Sequence, residues 1–263
     1  MKKNDLTNKI GIALTILFIV FLCIDIFALR NSYPKLSGYF CNIATECIGL
    51  FITICVIQKM LEKNDIKKER QNELEKIKRH NQIILIYLNF YTKYFHCITN
   101  PINNRFKNNV DLNNNFTIKD LCDLHKFSMG ATDPLLKTSI VLFYEYEHNL
   151  RNEFMQMLNN IDFKHCSNIQ NIIVDFIQIS LSLDVSDTII SNEKLKLDNR
   201  QETSQFIAEM LKSENVDNLY SQYKKGELQA NIIIPYFLLF DLLKREQELL
   251  IKYLNEINKL CSD

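Results

Sequence analysis

The chain has 263 residues, with 31 Lys and Arg against 31 Asp and Glu, and so no net formal charge. Cations are spread along it, which excludes the basic stripe of a nucleic-acid-binding surface. Only five glycines and four prolines interrupt it, and that scarcity favours helices over turn-rich β architectures.

A short polar N-terminus, 1–9, precedes two apolar runs, 10–29 and 39–57. Each is near the ~20 residues that cross a bilayer as a helix, and the link between them is a polar turn. No small-x-small cleavage site follows the first run, so it reads as a transmembrane helix and not a signal peptide. Leu, Ile, Phe and Val each contribute roughly −0.3 to −0.6 kcal/mol to insertion, and a central acid costs about +2.5 to +3.5. The first run inserts comfortably on that scale; the second, diluted by Asn42, Thr45, Glu46, Gly49 and Thr53, is near balance and depends on its neighbour. Lys2, Lys3 and Lys9 before the hairpin, and Lys59, Lys63, Lys67, Lys68 and Arg70 after it, place both termini in the cytoplasm.

Polar residues in the hairpin fall in a pattern. Asn42, Glu46, Gly49 and Thr53 share one face of the second helix, and Thr15 and Asp25 share one of the first. Counted from the outer ends, Asp25 is level with Asn42, and Thr15 with Thr53. This stripe is either helix–helix packing or a functional seam of an oligomer or water-lined path, with Glu46 as its constriction.

From 58 the second helix continues as a charged stalk into a seam of Leu74, Ile77, Asn81, Ile84, Leu88, Tyr91, Phe95 and Ile98. Their alternating three- and four-residue steps fit a coiled coil or the first helix of a bundle. The stretch 103–115 is Asn-rich and reads as a disordered connection. Thr117 with Asp120 opens a short helix, and Asp133-Pro134 another towards Leu158 with core positions Leu136, Ile140, Phe143, Leu150, Phe154 and Leu158. Further helices are expected from Ser167 to about Ile190, from Arg200 to Lys212, and from Ile232 to Leu260. The apolar Ile232–Phe240 segment, closed by Asp241, is too short to span and reads as core. No strand alternation is present, so 99–263 is expected to be an all-α domain.

Catalytic patterns are missing. There is no Walker loop, dinucleotide fingerprint, G-x-S-x-G elbow or H-E-x-x-H, and no arginine is followed by His at the spacing of helical HEPN-type ribonucleases. Cys122 and His125 could share a metal on one helix face, but core thiols and partly buried imidazoles explain them as well. Glu145, Glu147 and His148 could form an acid/base group, yet Tyr144-Glu145-Tyr146-Glu147 reads mostly as a solvated flank. The expectation is a non-enzyme without cofactor or metal.

The layout, with Phe116-Thr117-Ile118-Lys119-Asp120-Leu121 and Asn160-Ile161-Asp162-Phe163, resembles bacterial two-transmembrane proteins of anti-phage loci, including retron-associated effectors and abortive-infection membrane proteins. That resemblance implies a toxin, oligomeric in the lipid membrane, held silent by a partner such as a reverse transcriptase bearing its RNA–DNA hybrid, and able on release to compromise the inner membrane. The other reading is a non-catalytic membrane-anchored scaffold or receptor subunit.

Overall fold

The computed structural model describes residues 2–24, 26, 34–107, 109–127, 137–197 and 202–262. Eight α-helices account for most of them: α1 Lys2–Ile24, α2 Pro34–Thr99, α3 Ser139–Asn160, α4 Ser167–Ser182, α5 Ser186–Asn192, α6 Thr203–Lys212, α7 Val216–Lys224 and α8 Ile234–Ser262. Two isolated bridges, Phe127 with Thr138 and Lys196 with Glu202, are the β pairings among the described residues. The protein is all-α.

The chain divides into two compact units, Met1–Gln71 and Asn72–Asp263. In the first, α1 and the start of α2 carry many exposed apolar side chains, among them Ile12, Ile16, Leu17, Ile19, Val20, Leu50, Ile52 and Val56, while Leu14, Phe18 and Phe21 are half-buried. Among the described residues, no helix is long and apolar enough to cross a membrane.

The second unit is a bundle whose core is aromatic and aliphatic. The C-terminal part of α2 contributes Ile77, Ile84, Leu88, Tyr91, Phe95 and Ile98, all buried, so the heptad-like seam serves a bundle. From α8, Tyr236, Phe237, Leu239, Leu243, Leu250 and Tyr253 are buried, which confirms this helix as core. Phe154 of α3 packs edge-on to both Phe176 of α4 and Tyr253 of α8, with ring centroids 5.2 and 5.1 Å away.

Several expected boundaries move. Thr117 does begin a short element, and its N–H donates to the Asp120 carboxylate at 2.7 Å, but the turn over Ile118–Asp123 is a 3-10 helix. Asp133, Pro134 and Leu136 lie outside the described residues; Lys137 and Thr138 are non-helical, so α3 starts at Ser139. The expected helix from Ser167 to Ile190 is two helices. Its break is set by Asp184, whose carboxylate accepts the Ser186 N–H at 3.0 Å and so substitutes for a helical hydrogen bond. α7 has no counterpart in the sequence reading; its Tyr220 hydroxyl and Lys224 ammonium both donate to Asp241 of α8 at 2.5 Å.

Candidate functional site

The hairpin residues singled out from sequence are only partly placed. Asp25 lies outside the described residues. Thr15, Asn42, Glu46, Gly49 and Thr53 are all exposed. The Thr53 hydroxyl donates to Gly49 O at 2.8 Å, a bond within its own helix turn.

Polar side chains instead converge inside the bundle, at two places. The first is built on Arg105, in the Asn-rich stretch expected to be disordered. Arg105 is 1% exposed. Its Nε donates to Asn100 O at 3.1 Å, one terminal nitrogen donates to Phe127 O and Ser139 Oγ, and the other donates to Asp123 O at 2.8 Å. His96 Nε2 donates to the Arg105 carbonyl at 3.1 Å, while Asn100 Nδ2 reaches His96 Nδ1 at 3.2 Å. Further along, the Leu112 side chain is buried, and Gln247 of α8 donates to both Leu112 O and Asn114 O. Arg105 and Leu112 therefore pin this stretch to the bundle, while Phe106 and Val110 stay exposed. Burial lowers the Arg105 pKa, and the nearby Cys97, Asp123 and Cys122 oppose that shift.

Beside it lies a cleft of 470 Å³ between the 3-10 turn and α6, with Lys126 and Lys212 set against Asp123, Glu202 and Glu209. Such mixed charge selects no ligand sign. Burial pushes the Cys122 thiol up, keeping it protonated and a poor nucleophile. His125 Nε2 lies 3.0 Å from the Tyr236 hydroxyl, and burial lowers its pKa to about 4, so the ring is neutral at physiological pH. Among the described residues, no group of three or more His, Cys, Asp or Glu is placed to hold a metal.

The second convergence involves α2, α3, α4, α8 and the turn at Asp184. Glu246 is 0% exposed, and the Tyr91 hydroxyl donates to its Oε2 at 2.8 Å. Glu147 is buried too, which corrects the expectation of a solvated flank: Glu145 is exposed and takes the Lys137 ammonium at 2.6 Å, whereas Glu147 lies inward. Two residues apart is 200° of helix rotation, so the pair cannot share a face. Ser180 of α4 donates to Glu147 Oε1, and Arg151 donates to Ser180 Oγ at 2.8 Å while lying 3.6 Å from Asp184 Oδ2. His148 Nε2 lies between Glu147 Oε2, at 3.4 Å, and Asp184 Oδ2, at 3.3 Å.

Burial holds Glu246 well above the usual carboxylate range; the charge of Glu147 adds to that, and the Tyr91 hydrogen bond opposes it. Glu147 is raised by burial as well, against the Ser180 bond, Arg151 and His148. Asp184 goes the other way: burial raises it, but the Ser186 bonds, His148 and Arg151 outweigh burial and leave it low. Among the described residues, Glu246 Oε1, Tyr144 Oη and His148 Nε2 have no hydrogen-bond partner. The sequence points to Glu147 and His148 only as part of an acid/base group with Glu145 that reads mostly as a solvated flank, and it does not single out Arg151, Ser180, Asp184 or Glu246. No family model, curated protein or solved structure matches the chain.

Proposed function

We propose that the chain is a membrane-inserting effector: α1 and the start of α2 form a hairpin in the bacterial inner membrane, and the helical bundle binds the partner that controls it. The observation that carries this reading is the apolar surface of the first unit. Ile12, Ile16, Leu17, Ile19 and Val20 of α1 are all exposed, Leu14, Phe18 and Phe21 on its other side are apolar too, and a helix apolar on every side is stable only in a core or in lipid. The described part of the first run, Ile10–Ile24, measures about 22 Å at 1.5 Å per residue, and the run in the sequence continues to Leu29. α2 supports the second half of the proposal. It is one helix of 66 residues, carrying both the exposed Leu50, Ile52 and Val56 and the buried Tyr91.

On release from its partner, in the defence setting that the resemblance implies a reverse transcriptase with its RNA–DNA hybrid, the hairpins assemble and permeabilise the bilayer along Asn42, Glu46, Gly49 and Thr53, the polar stripe that the sequence pattern pairs with Thr15 and Asp25. Induced expression without any partner, followed with a membrane-potential dye, tests this. Depolarisation and growth arrest are expected, with loss of both in Glu46→Ala at unchanged membrane level. Normal polarisation at high expression would sink the effector reading.

One observation favours a passive anchor with a scaffold domain. The Thr53 hydroxyl donates its proton within its own helix and so has none to donate across a seam. An anchor predicts that an unrelated two-helix hairpin preserves function; the effector reading predicts that it abolishes it.

A further inference from the structure

Glu147 and Glu246 are arranged as a holder for a single proton. Both are buried, and their carboxyls are within hydrogen-bonding reach of each other. Two ionised carboxylates have no hydrogen to donate, so a bond between them exists only when one is protonated. The donors nearby are already committed, Tyr91 to Glu246 Oε2 and Ser180 to Glu147 Oε1. Glu246 Oε1 has no partner among the described residues, and a proton shared with Glu147 is the bond within its reach.

Charge in the cluster points the same way. The carboxyls of Glu147, Glu246 and Asp184 are set against one permanent cation, Arg151 of α3. The remaining titratable neighbours are the phenols of Tyr91 on α2, Tyr144 on α3 and Tyr236 on α8, all kept neutral by burial. Two ionised carboxylates buried together, with the more exposed Asp184 drawing on the same guanidinium, is an expensive state, and one shared proton removes the excess. His148 gives that proton a way out. Its ring is about a third exposed and lies 3.4 Å from Glu147 Oε2, so a carboxyl proton can pass to the imidazole and then to water.

We propose that Glu147 and Glu246 form a one-proton latch: the shared proton ties α3 to α8, and its loss through His148 drives the two carboxylates apart and loosens α8 in the bundle. The latch makes the bundle a sensor of proton loss or of a cationic partner group that replaces the proton. Nothing in it requires the chain to enter a membrane, and the two proposals fail separately.

The sign follows from the raised pKa of the pair. The stabilisation is complete below the ordinary carboxylate value of 4.5 and is lost as pH rises through the folded value.

The test uses the full chain in detergent micelles. Infrared spectroscopy of wild type at neutral pH is expected to show the carbonyl stretch of a protonated carboxyl, absent from Glu246→Gln and lost from wild type at higher pH. Amide protection at the α2 and α8 sites flanking Tyr91 and Glu246 is expected to fall by about tenfold or more between pH ~5 and ~9 in wild type, beyond the intrinsic change in exchange rate. In Glu246→Gln, whose amide donates permanently to Glu147, that protection stays flat. No protonated carboxyl in wild type at neutral pH overturns the proposal, as does a band that titrates while protection stays constant. If Glu246→Gln does not fold, Glu147→Gln replaces it, and the wild-type measurements stand without either variant.

Discussion

Arg105 and Glu246 are both buried ionisable groups, at 1% and 0% exposure, and the bundle treats them in opposite ways. Around Arg105 every nitrogen of the guanidinium has an acceptor, three of them backbone carbonyls, so the charge is kept and spread over fixed dipoles. Around Glu246 one oxygen has a donor and the other has none, and burial pushes its pKa well above the usual carboxylate range. A fully paired charge holds a structure in one state. A buried acid that depends on a proton leaves two states within reach, and the second cluster is therefore the one able to respond to a signal.

The sharpest way to break this comparison is to remove Arg105. Arg105→Met leaves Asn100 O and Phe127 O without donors and Asp123 O with the Lys126 N–H alone, and the expected loss is about 3–5 kcal/mol in urea denaturation of the full chain. Arg105→Lys should recover little of it, because one ammonium cannot reproduce a planar fork that serves several acceptors. A loss under about 1 kcal/mol would mean that water satisfies those carbonyls and that the pinning is superficial.

The two clusters also differ in which pH limb they govern. His125, beside the Arg105 cluster, has its pKa lowered to about 4 by burial. Between 4 and 6.5 the unfolded chain binds more protons than the folded one, so this contribution is complete above 6.5 and disappears as pH falls towards 4. The expected decline is on the order of 2–3 kcal/mol in urea midpoints, and His125→Gln should abolish it. The carboxyl pair loses its contribution in the opposite direction, on raising the pH.

What could be read from the chain, and what could not, follows the same division. Ile77, Ile84, Leu88, Tyr91, Phe95 and Ile98 were legible because a buried helix face repeats every three or four residues. Arg105 was not: an Asn-rich stretch marks irregular backbone, and its anchors at Ser139 and Phe127 come from another part of the chain. Glu147 was hidden by the alternation Tyr144-Glu145-Tyr146-Glu147, in which one acid turns out and the other in. Glu246 sits in a charged-looking Lys244-Arg245-Glu246 run on α8, and only the positions of α2 and α3 reveal its burial. The polar stripe of the hairpin was legible as a pattern, whereas a partner for it is a matter of assembly, which no single chain encodes in its own contacts.

Tyr91→Phe sharpens the account of the carboxyl pair at lower cost. Phe keeps the ring packing on Phe95 and Phe143, at 5.9 and 5.4 Å, and removes only the donor to Glu246 Oε2. A loss of about 1–2 kcal/mol is expected at neutral pH, growing as pH rises, because an ionised carboxylate needs the donor more than a neutral one. Denaturation midpoints at three pH values would check this. A pH-independent loss would mean that Glu246 keeps one protonation state throughout and would remove Tyr91 from the latch.

The smallest expected effect lies at the rim of the Arg105 cluster, where Lys212 of α6 approaches Asp123 Oδ1 at 3.7 Å. Asp123 is buried, but Lys212 is mostly exposed, so solvent screens the pair and side-chain entropy opposes it. Asp123 does not depend on this partner. Its Oδ2 accepts the Ile102 N–H at 2.9 Å, and its backbone carbonyl takes the Arg105 terminal nitrogen at 2.8 Å. Lys212→Ala should therefore cost no more than about 0.5 kcal/mol by urea denaturation, and added salt should erase even that. A cost comparable to that of Arg105→Met would show that net charge, and not the complete satisfaction of buried polar atoms, holds this corner together. The contrast between a paired arginine and a proton-dependent acid would then lose its physical basis.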